Sequence, residues 1–233
     1  MTDYVRIHGA WHDSWCWTRV RHRLSAETHR VFTPTLTGIG ERSHLLSRDV
    51  GLDTHIADVA NLILWEDLSE VIMVGHSYGG VVARHVADRI PDRIRSLVYL
   101  DAFVPDNGKA LLDYLPDNGK RYRELALANG GGWKIPPPPA RSFSVNAADA
   151  AWVDRQCTMH PLSTFEMPAQ ISGACDSLPT IGYILARGFD GPFEQFYAGA
   201  GERRWWQAEL PCGHDVMLDM PNELTALLLQ RAR

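Results

Sequence analysis

The stretch EVIMVGHSYGGVVARHVADRI, residues 70–90, decides how this chain is read. Residues 70–77 form a continuous apolar run that ends in Gly75-His76-Ser77 and suits a strand buried on both faces. Residues 81–90 change to a helical period and stop at Pro91. The junction matches G-x-S-x-G over Gly75, Ser77 and Gly79. Between a buried strand and a helix, that pattern describes a serine lifted on a sharp strand-to-helix turn. Side chains at 75 and 79 would collide with the strand and helix, which is why glycine is needed there. The helix that follows points the positive end of its dipole at the serine and favours developing negative charge.

Outward from this turn, strand and helix patterns alternate. Residues 4–8 and 29–36 read as strands, and 94–104 as a further buried strand. Residues 14–26 and 52–68 carry apolar positions at helical spacing. This alternation predicts an α/β fold: a mostly parallel sheet flanked by helices. From Pro105 to about residue 178 no buried-strand pattern appears, and helical pieces fall near 109–128 and 147–157. This stretch reads as a helical cap inserted after the strand ending near Asp101, within one domain spanning 1–233. Its PPPP run reads as a stiff lid loop. Strands resume at 179–186 and 203–210, a short helix fits 193–200, and residues 221–232 close the chain as a helix.

The 233 residues carry 23 Lys and Arg against 28 Asp and Glu, a net charge of −5, so no basic footprint for nucleic acid is present. No apolar run reaches the roughly 18 residues of a membrane span. The N-terminus is too polar for a secretory signal, and the four cysteines form no C-x-x-C pair. Together these predict a cytoplasmic protein with free thiols. No metal-ligand spacing or nucleotide motif occurs, so no cofactor is expected. The oligomeric state stays open, a homodimer included.

A serine hydroxyl needs a base. Of ten histidines, His214 in Cys212-Gly213-His214-Asp215 follows a strand and precedes the last helix, on the same sheet edge as Ser77. The carboxylate that orients an imidazole has two candidates. Asp101 sits at the carboxyl end of a buried strand, and Asp190 follows the next strand across the cap. The strand-end position favours Asp101, with Asp190 as the alternative acid. An oxyanion needs two N–H donors. Tyr78 follows the nucleophile, and Gly9 lets the loop after the first strand approach, which nominates Ala10 and, as second choice, Trp11.

The motifs HGAWHDSWCW, GHSYGG, LVYLDAFVPD and CGHDVMLDMP together resemble the α/β-hydrolase superfamily. The likeness is to the small esterase branch that includes plant methyl esterases, hydroxynitrile lyases and bacterial carbamate (carbendazim-type) or pyrethroid esterases. It extends over nearly the whole chain and is weakest through the cap. It implies Ser77 as nucleophile, His214 as base, and Ala10 and Tyr78 as oxyanion donors. Two departures stand out. Arg6 interrupts the first strand where relatives carry an aliphatic residue, and reads as an exposed edge feature or a local disturbance. Ala10 and Asp215 stand where hydroxynitrile lyases carry threonine and lysine, which favours hydrolysis over cyanohydrin cleavage.

The expected function is therefore a serine hydrolase that cleaves a carboxylic ester or carbamate of a hydrophobic, aromatic small molecule through an acyl-enzyme. Aromatic residues from the first loop and the cap, foremost Trp11, Phe103, Trp133 and Trp152, are expected to line its pocket. Hydroxynitrile-lyase-like or cofactor-free oxygenase chemistry, or a non-catalytic small-molecule receptor, are the alternatives.

Overall fold

In the computed structural model, which describes residues 1–231, the chain begins with β1 (Asp3–Ile7), a strand of five buried residues. α1 (Thr18–Ala26), β2 (Arg30–Phe32), α2 (Leu52–Trp65), β3 (Val71–His76), α3 (Gly79–Arg89) and β4 (Ile94–Leu100) follow in alternation. After β4 the chain leaves the sheet for α4 (Lys120–Asn129), β5 (Lys134–Ile135), α5 (Ala147–Gln156), β6 (His160–Pro161) and α6 (Ser163–Glu166). It returns with β7 (Thr180–Ala186), α7 (Glu194–Glu202), β8 (Trp206–Leu210), α8 (Val216–Asp219) and α9 (Pro221–Arg231). The last residue of the helix expected over 221–232 lies outside the described residues.

The main sheet has six strands in the order β2-β1-β3-β4-β7-β8, and every pairing is parallel. β5 and β6 pair antiparallel as a separate two-residue ribbon within the excursion. The order reverses direction between β1 and β3, so the loops leaving their carboxyl ends diverge to opposite faces and open a crevice there. Those two loops carry Ala10 and Ser77. β3 is buried along its whole length, and β4 at every residue except Arg95.

Several local readings differ from the sequence expectation: β4 ends at Leu100 rather than at 104, β8 begins at Trp206 rather than at 203, and three others have a physical reason. The strand expected over 29–36 ends at Phe32. Pro34 has no N–H to give a ladder, and the Leu36 N–H donates to His8 Nε2 at 3.0 Å. The helix expected from residue 14 opens as a 3₁₀ turn over Ser14–Trp17, where Asp13 accepts from the Trp15 N–H at 2.8 Å. Arg6 is no edge feature. β1 is flanked by β2 and β3, and Arg6 is fully buried, its guanidinium 5.6 Å from the Trp17 ring centroid. Among the described residues, no acceptor lies within hydrogen-bond reach of its three nitrogens, and burial pulls its pKa down to about 9.

An unpaired buried charge costs stability. Arg6→Met, which keeps bulk and removes the charge, is therefore expected to raise Tm by about 3 °C or more, from a gain of at least about 1 kcal/mol in a chain of this size. Calorimetry of the two proteins checks this, and a lower Tm in the variant contradicts it.

Candidate active site

From Val71 to Ala87 every residue is buried except Ser77, which is half-exposed. The turn that lifts it is strained and tightly packed. Ser77 has φ 53°, the left-handed region that non-glycine residues rarely occupy. A Cβ at Gly75 would meet the Gly79 carbonyl oxygen at 2.5 Å, and one at Gly79 would meet the carbonyl oxygens of Ile7 and His8 at 2.6 Å. The turn is held by the Ser77 N–H donating to the Leu100 carbonyl at 3.3 Å and by the Phe103 N–H donating to the Ser77 carbonyl at 3.2 Å. A Cβ at Gly9 would lie 3.0 Å from Ser77 Cβ, so the loop after β1 touches the serine.

His214 and Asp101 meet across 113 residues of sequence, with His214 Nδ1 2.6 Å from Asp101 Oδ2. An ionised carboxylate has only lone pairs to offer, so Nδ1 carries the proton and the neutral ring keeps its lone pair on Nε2. Asp101 is held by two further hydrogen bonds. Its Oδ1 accepts from the Ala186 N–H at 3.1 Å, and its own N–H donates to the Ile184 carbonyl at 2.7 Å. The Tyr183 hydroxyl grips the next residue, accepting from the Ala102 N–H at 2.9 Å and donating to its carbonyl at 2.7 Å. The imidazole of His214 is nearly parallel to Phe193, with centroids 5.0 Å apart, and packs on His76 at 4.5 Å. The other carboxylate candidate, Asp190, is exposed on the cavity wall.

Ser77, His214, Ala10 and Tyr78 open on one cavity of about 880 Å³. Trp11, Phe103, Phe143, Phe165 and Tyr122 give it aromatic walls, and Pro136–Pro139 form one side. Two of the expected pocket residues are elsewhere. Trp152 packs edge-on against Trp15 at 4.8 Å, and Trp133 lies against the cations of Arg48 and Lys134 at 5.4 and 5.2 Å. Both rings pack against partners away from the cavity lining. Trp11 has φ 65° and is tied to the excursion three times. Its N–H points at His160 Nδ1 (3.5 Å), its indole N–H donates to the Ile135 carbonyl (3.1 Å), and its carbonyl accepts from the Thr158 N–H (3.0 Å). The Trp11 N–H thus faces His160, which leaves Ala10 as the stronger donor candidate in this loop.

Five of the six other buried histidines lie in or near this region and divide by their hydrogen bonds. His8 donates from Nδ1 to the Gly9 carbonyl at 2.8 Å and accepts at Nε2. His55 donates from Nε2 to the Thr37 carbonyl at 2.9 Å and takes the Tyr78 hydroxyl at Nδ1 at 2.8 Å. His160 meets the Thr164 hydroxyl at 2.8 Å. Burial pushes all three pKa values down, His8 to about 3 and His55 to about 4. His76 donates from Nε2 to the His214 carbonyl at 3.0 Å and is held well below the usual histidine range by burial. His12 differs. Both of its ring nitrogens face acceptors: the Ala10 carbonyl at 2.9 Å and Asp215 Oδ2 at 3.0 Å. Sequence reasoning missed this pair, because a lone histidine in a loop gives no sign of an aspartate 203 residues away.

Among the described residues, no helix is long and apolar enough to cross a membrane. The sequence pattern of the alpha/beta hydrolase family matches residues 7–227. The chain is 45% identical to a carbendazim hydrolyzing esterase from Nocardioides sp. (strain SG-4G), with 98% of each covered. It is 34% identical to methylesterase 4 of Arabidopsis thaliana over 44% of this chain and 40% of that one, so it spans well under half of that relative. Among solved structures it is similar to an extracellular alpha/beta-hydrolase from a Paenibacillus species, with TM-score 0.87 and 24% identity over the whole of both chains. A pyrethroid hydrolase from Sphingobium faniae JZ-2 superposes with TM-score 0.71 at 22% identity, covering 99% of this chain and 97% of that one. The parallel sheet, the strained serine turn and the extent of these matches lead to one conclusion: the chain belongs to the alpha/beta hydrolase family.

Proposed function

We propose that this chain is a serine esterase that cleaves a carboxylic ester or carbamate of an aromatic small molecule through a covalent acyl-enzyme. The observation that carries the reading is the buried Asp101–His214 bond of 2.6 Å, whose imidazole opens on the same cavity as Ser77. In the proposed reaction Ser77 Oγ attacks the carbonyl carbon while His214 Nε2 takes its proton. Asp101 holds the imidazole in the productive tautomer and stabilises the imidazolium that forms. The tetrahedral oxyanion is received by the N–H groups of Ala10 and Tyr78, and the second of these lies at the open amino end of α3. The imidazolium then protonates the departing alcohol. A water activated by His214 attacks the acyl- or carbamoyl-serine and frees the enzyme.

The cavity supports the substrate class. Flat aromatic rings and a rigid proline wall suit a planar, apolar group, and desolvating such a group is favourable. The 45% identical relative is named for carbendazim hydrolysis, which supports a methyl carbamate on an aromatic ring as the first compound to try. The excursion over residues 105–178 serves as a cap supplying the far side of this pocket.

A fluorophosphonate probe is expected to label Ser77, as read by peptide mass spectrometry, and turnover of an aryl methyl carbamate or methyl ester is expected to be lost in step with labelling. Absence of labelling refutes the reading. The same assay separates the two acids. Asp101→Asn leaves the ring in the wrong tautomer and is expected to lower kcat about 10⁴-fold. Asp190→Asn is expected to keep kcat within about threefold of the parent, as for an exposed residue outside the His214–Asp101 hydrogen bond.

A further inference from the structure

A second histidine–carboxylate pair lies directly behind this site, and the reaction above does not use it. His12 and Asp215 are both buried, and each belongs to a loop that delivers an active group. His12 lies two residues after Ala10, and Asp215 directly follows His214. We propose that His12 and Asp215 are a positioning pair that locks the loop presenting the Ala10 N–H to the loop presenting His214. This rests on the serine esterase reading.

The hydrogen bonds define the lock. The Ala10 carbonyl can only accept, so His12 Nδ1 carries a proton and donates it across 2.9 Å. A further proton lies on the 3.0 Å line between His12 Nε2 and Asp215 Oδ2. Burial works against charge on His12, and the Asp215 carboxylate more than offsets it, leaving the His12 pKa above the ordinary value. Burial pushes Asp215 up, but the His12 contact outweighs it and holds the carboxyl down at about 2. Removing either partner leaves the other buried and unpaired, so the pair persists as a unit.

Each end of the lock meets a backbone already held on its other side. The Ala10–Trp11 peptide has its carbonyl on His12 and its N–H directed at His160 Nδ1, so its plane is fixed from both edges. His214 is held by its N–H on the Phe143 carbonyl at 2.9 Å and by its carbonyl on His76 Nε2 at 3.0 Å. The Asp215 side chain then joins that loop to the Ala10 loop. Trp15 and Phe143, with ring centroids 5.0 and 5.3 Å from His12, close the pair off from solvent. Oxyanion donors and base must share one reacting carbonyl, so a small slip between their loops weakens transition-state binding more than substrate binding.

The test uses the whole chain, with fluorophosphonate titration to count reactive Ser77 in every variant. His12→Ala and Asp215→Ala are expected to lower kcat per labelled serine about 30-fold while KM stays within about threefold, as for an interaction made in the transition state. Both are expected to weaken an aryl trifluoromethyl ketone, which forms a tetrahedral oxyanion on Ser77, by a similar factor. The double variant is expected to be no worse than the poorer single one. Asp215→Asn is expected to recover kcat to within about threefold of the parent, because its amide donates to His12 Nε2 while Nδ1–H stays on Ala10. Unchanged kcat and ketone affinity in either alanine variant, or an Asp215→Asn variant as poor as Asp215→Ala, overturns the inference. If the alanine variants fail to fold, ¹⁵N spectra of the parent's histidines decide. A protonated His12 Nδ1 is expected, and a bare Nδ1 overturns the lock. An unlabelled parent overturns the esterase reading and this inference with it, whereas a labelled parent with unaffected variants overturns this inference alone.

Discussion

Ser77→Ala is expected to lower kcat on an aryl ester or aryl methyl carbamate by about 10⁶-fold, with little change in Tm. On the proposed mechanism, the size of the loss follows from the unit in which the serine would act. Without Oγ the imidazole of His214 has no proton to take, and the Asp101 bond then stabilises a charge that never forms. What remains is the pocket and the oxyanion donors, which still bind and polarise a carbonyl and leave a residual rate over water. The small stability change follows from the backbone. Ser77 already sits at φ 53°, and alanine at that position is strained to about the same degree. Burst kinetics and steady-state rates on the purified variant, with Tm as a control, check both halves. More than a few per cent of parental activity in the variant contradicts the nucleophile assignment.

Lowering the pH from 7 to 5 is expected to unfold the protein steeply, because His8, His55, His76 and His160 are fully buried and neutral. Burial holds His8 at about 3 and His55 at about 4, and keeps His76 and His160 well below the usual range. In the unfolded chain each titrates near 6.5. Their folded values lie below the unfolded one, so the stability they contribute is complete above about pH 6.5 and is lost as pH falls from there toward 3–4. Each histidine that takes up a proton only on unfolding removes about 1.4 kcal/mol per pH unit, and four remove about 5 kcal/mol per unit near pH 5. A domain holds only about 5–15 kcal/mol in total, so the acid midpoint is expected near pH 5. The His12–Asp215 pair gives no relief in this window. His12 has a raised pKa, so its contribution is present below pH 6.5 and is lost only as pH rises through its folded value. Asp215, at about 2, contributes above 3.8 and loses this only on approach to pH 2. Urea unfolding at a series of pH values measures the slope directly, and a stability flat between pH 7 and 5 contradicts the prediction.

The parallel sheet was legible because β3 and β4 are nearly unbroken apolar runs, which only a sheet covered on both faces can hide. The serine turn was legible because Gly75 and Gly79 answer to local sterics. Residues whose partners are distant in sequence were harder to read. Asp101 and Asp190 both follow strands, and only the folded chain brings His214 Nδ1 within 2.6 Å of one of them. Trp133 and Trp152 carry the same composition signal as Trp11 and Phe103, yet a ring's side of the cap is set by packing that periodicity does not encode. Arg6 breaks the pattern of a buried strand, and nothing in the sequence announces that Trp17 would cover it. The strand expected through Leu36 failed because local rules are silent about His8 taking that residue's N–H.

The three ties of Trp11 bear on how this pocket evolves. Its backbone and indole fasten residues 135, 158 and 160 to the chain segment bearing Ala10. On the proposed mechanism, exchanging the excursion over residues 105–178 for a homologous one therefore disturbs the seat of the reacting carbonyl along with substrate preference. New specificity on this scaffold should come more readily from single changes at Pro136–Pro139 or Tyr122 than from wholesale loop grafts, which would have to bring their own anchor for that indole.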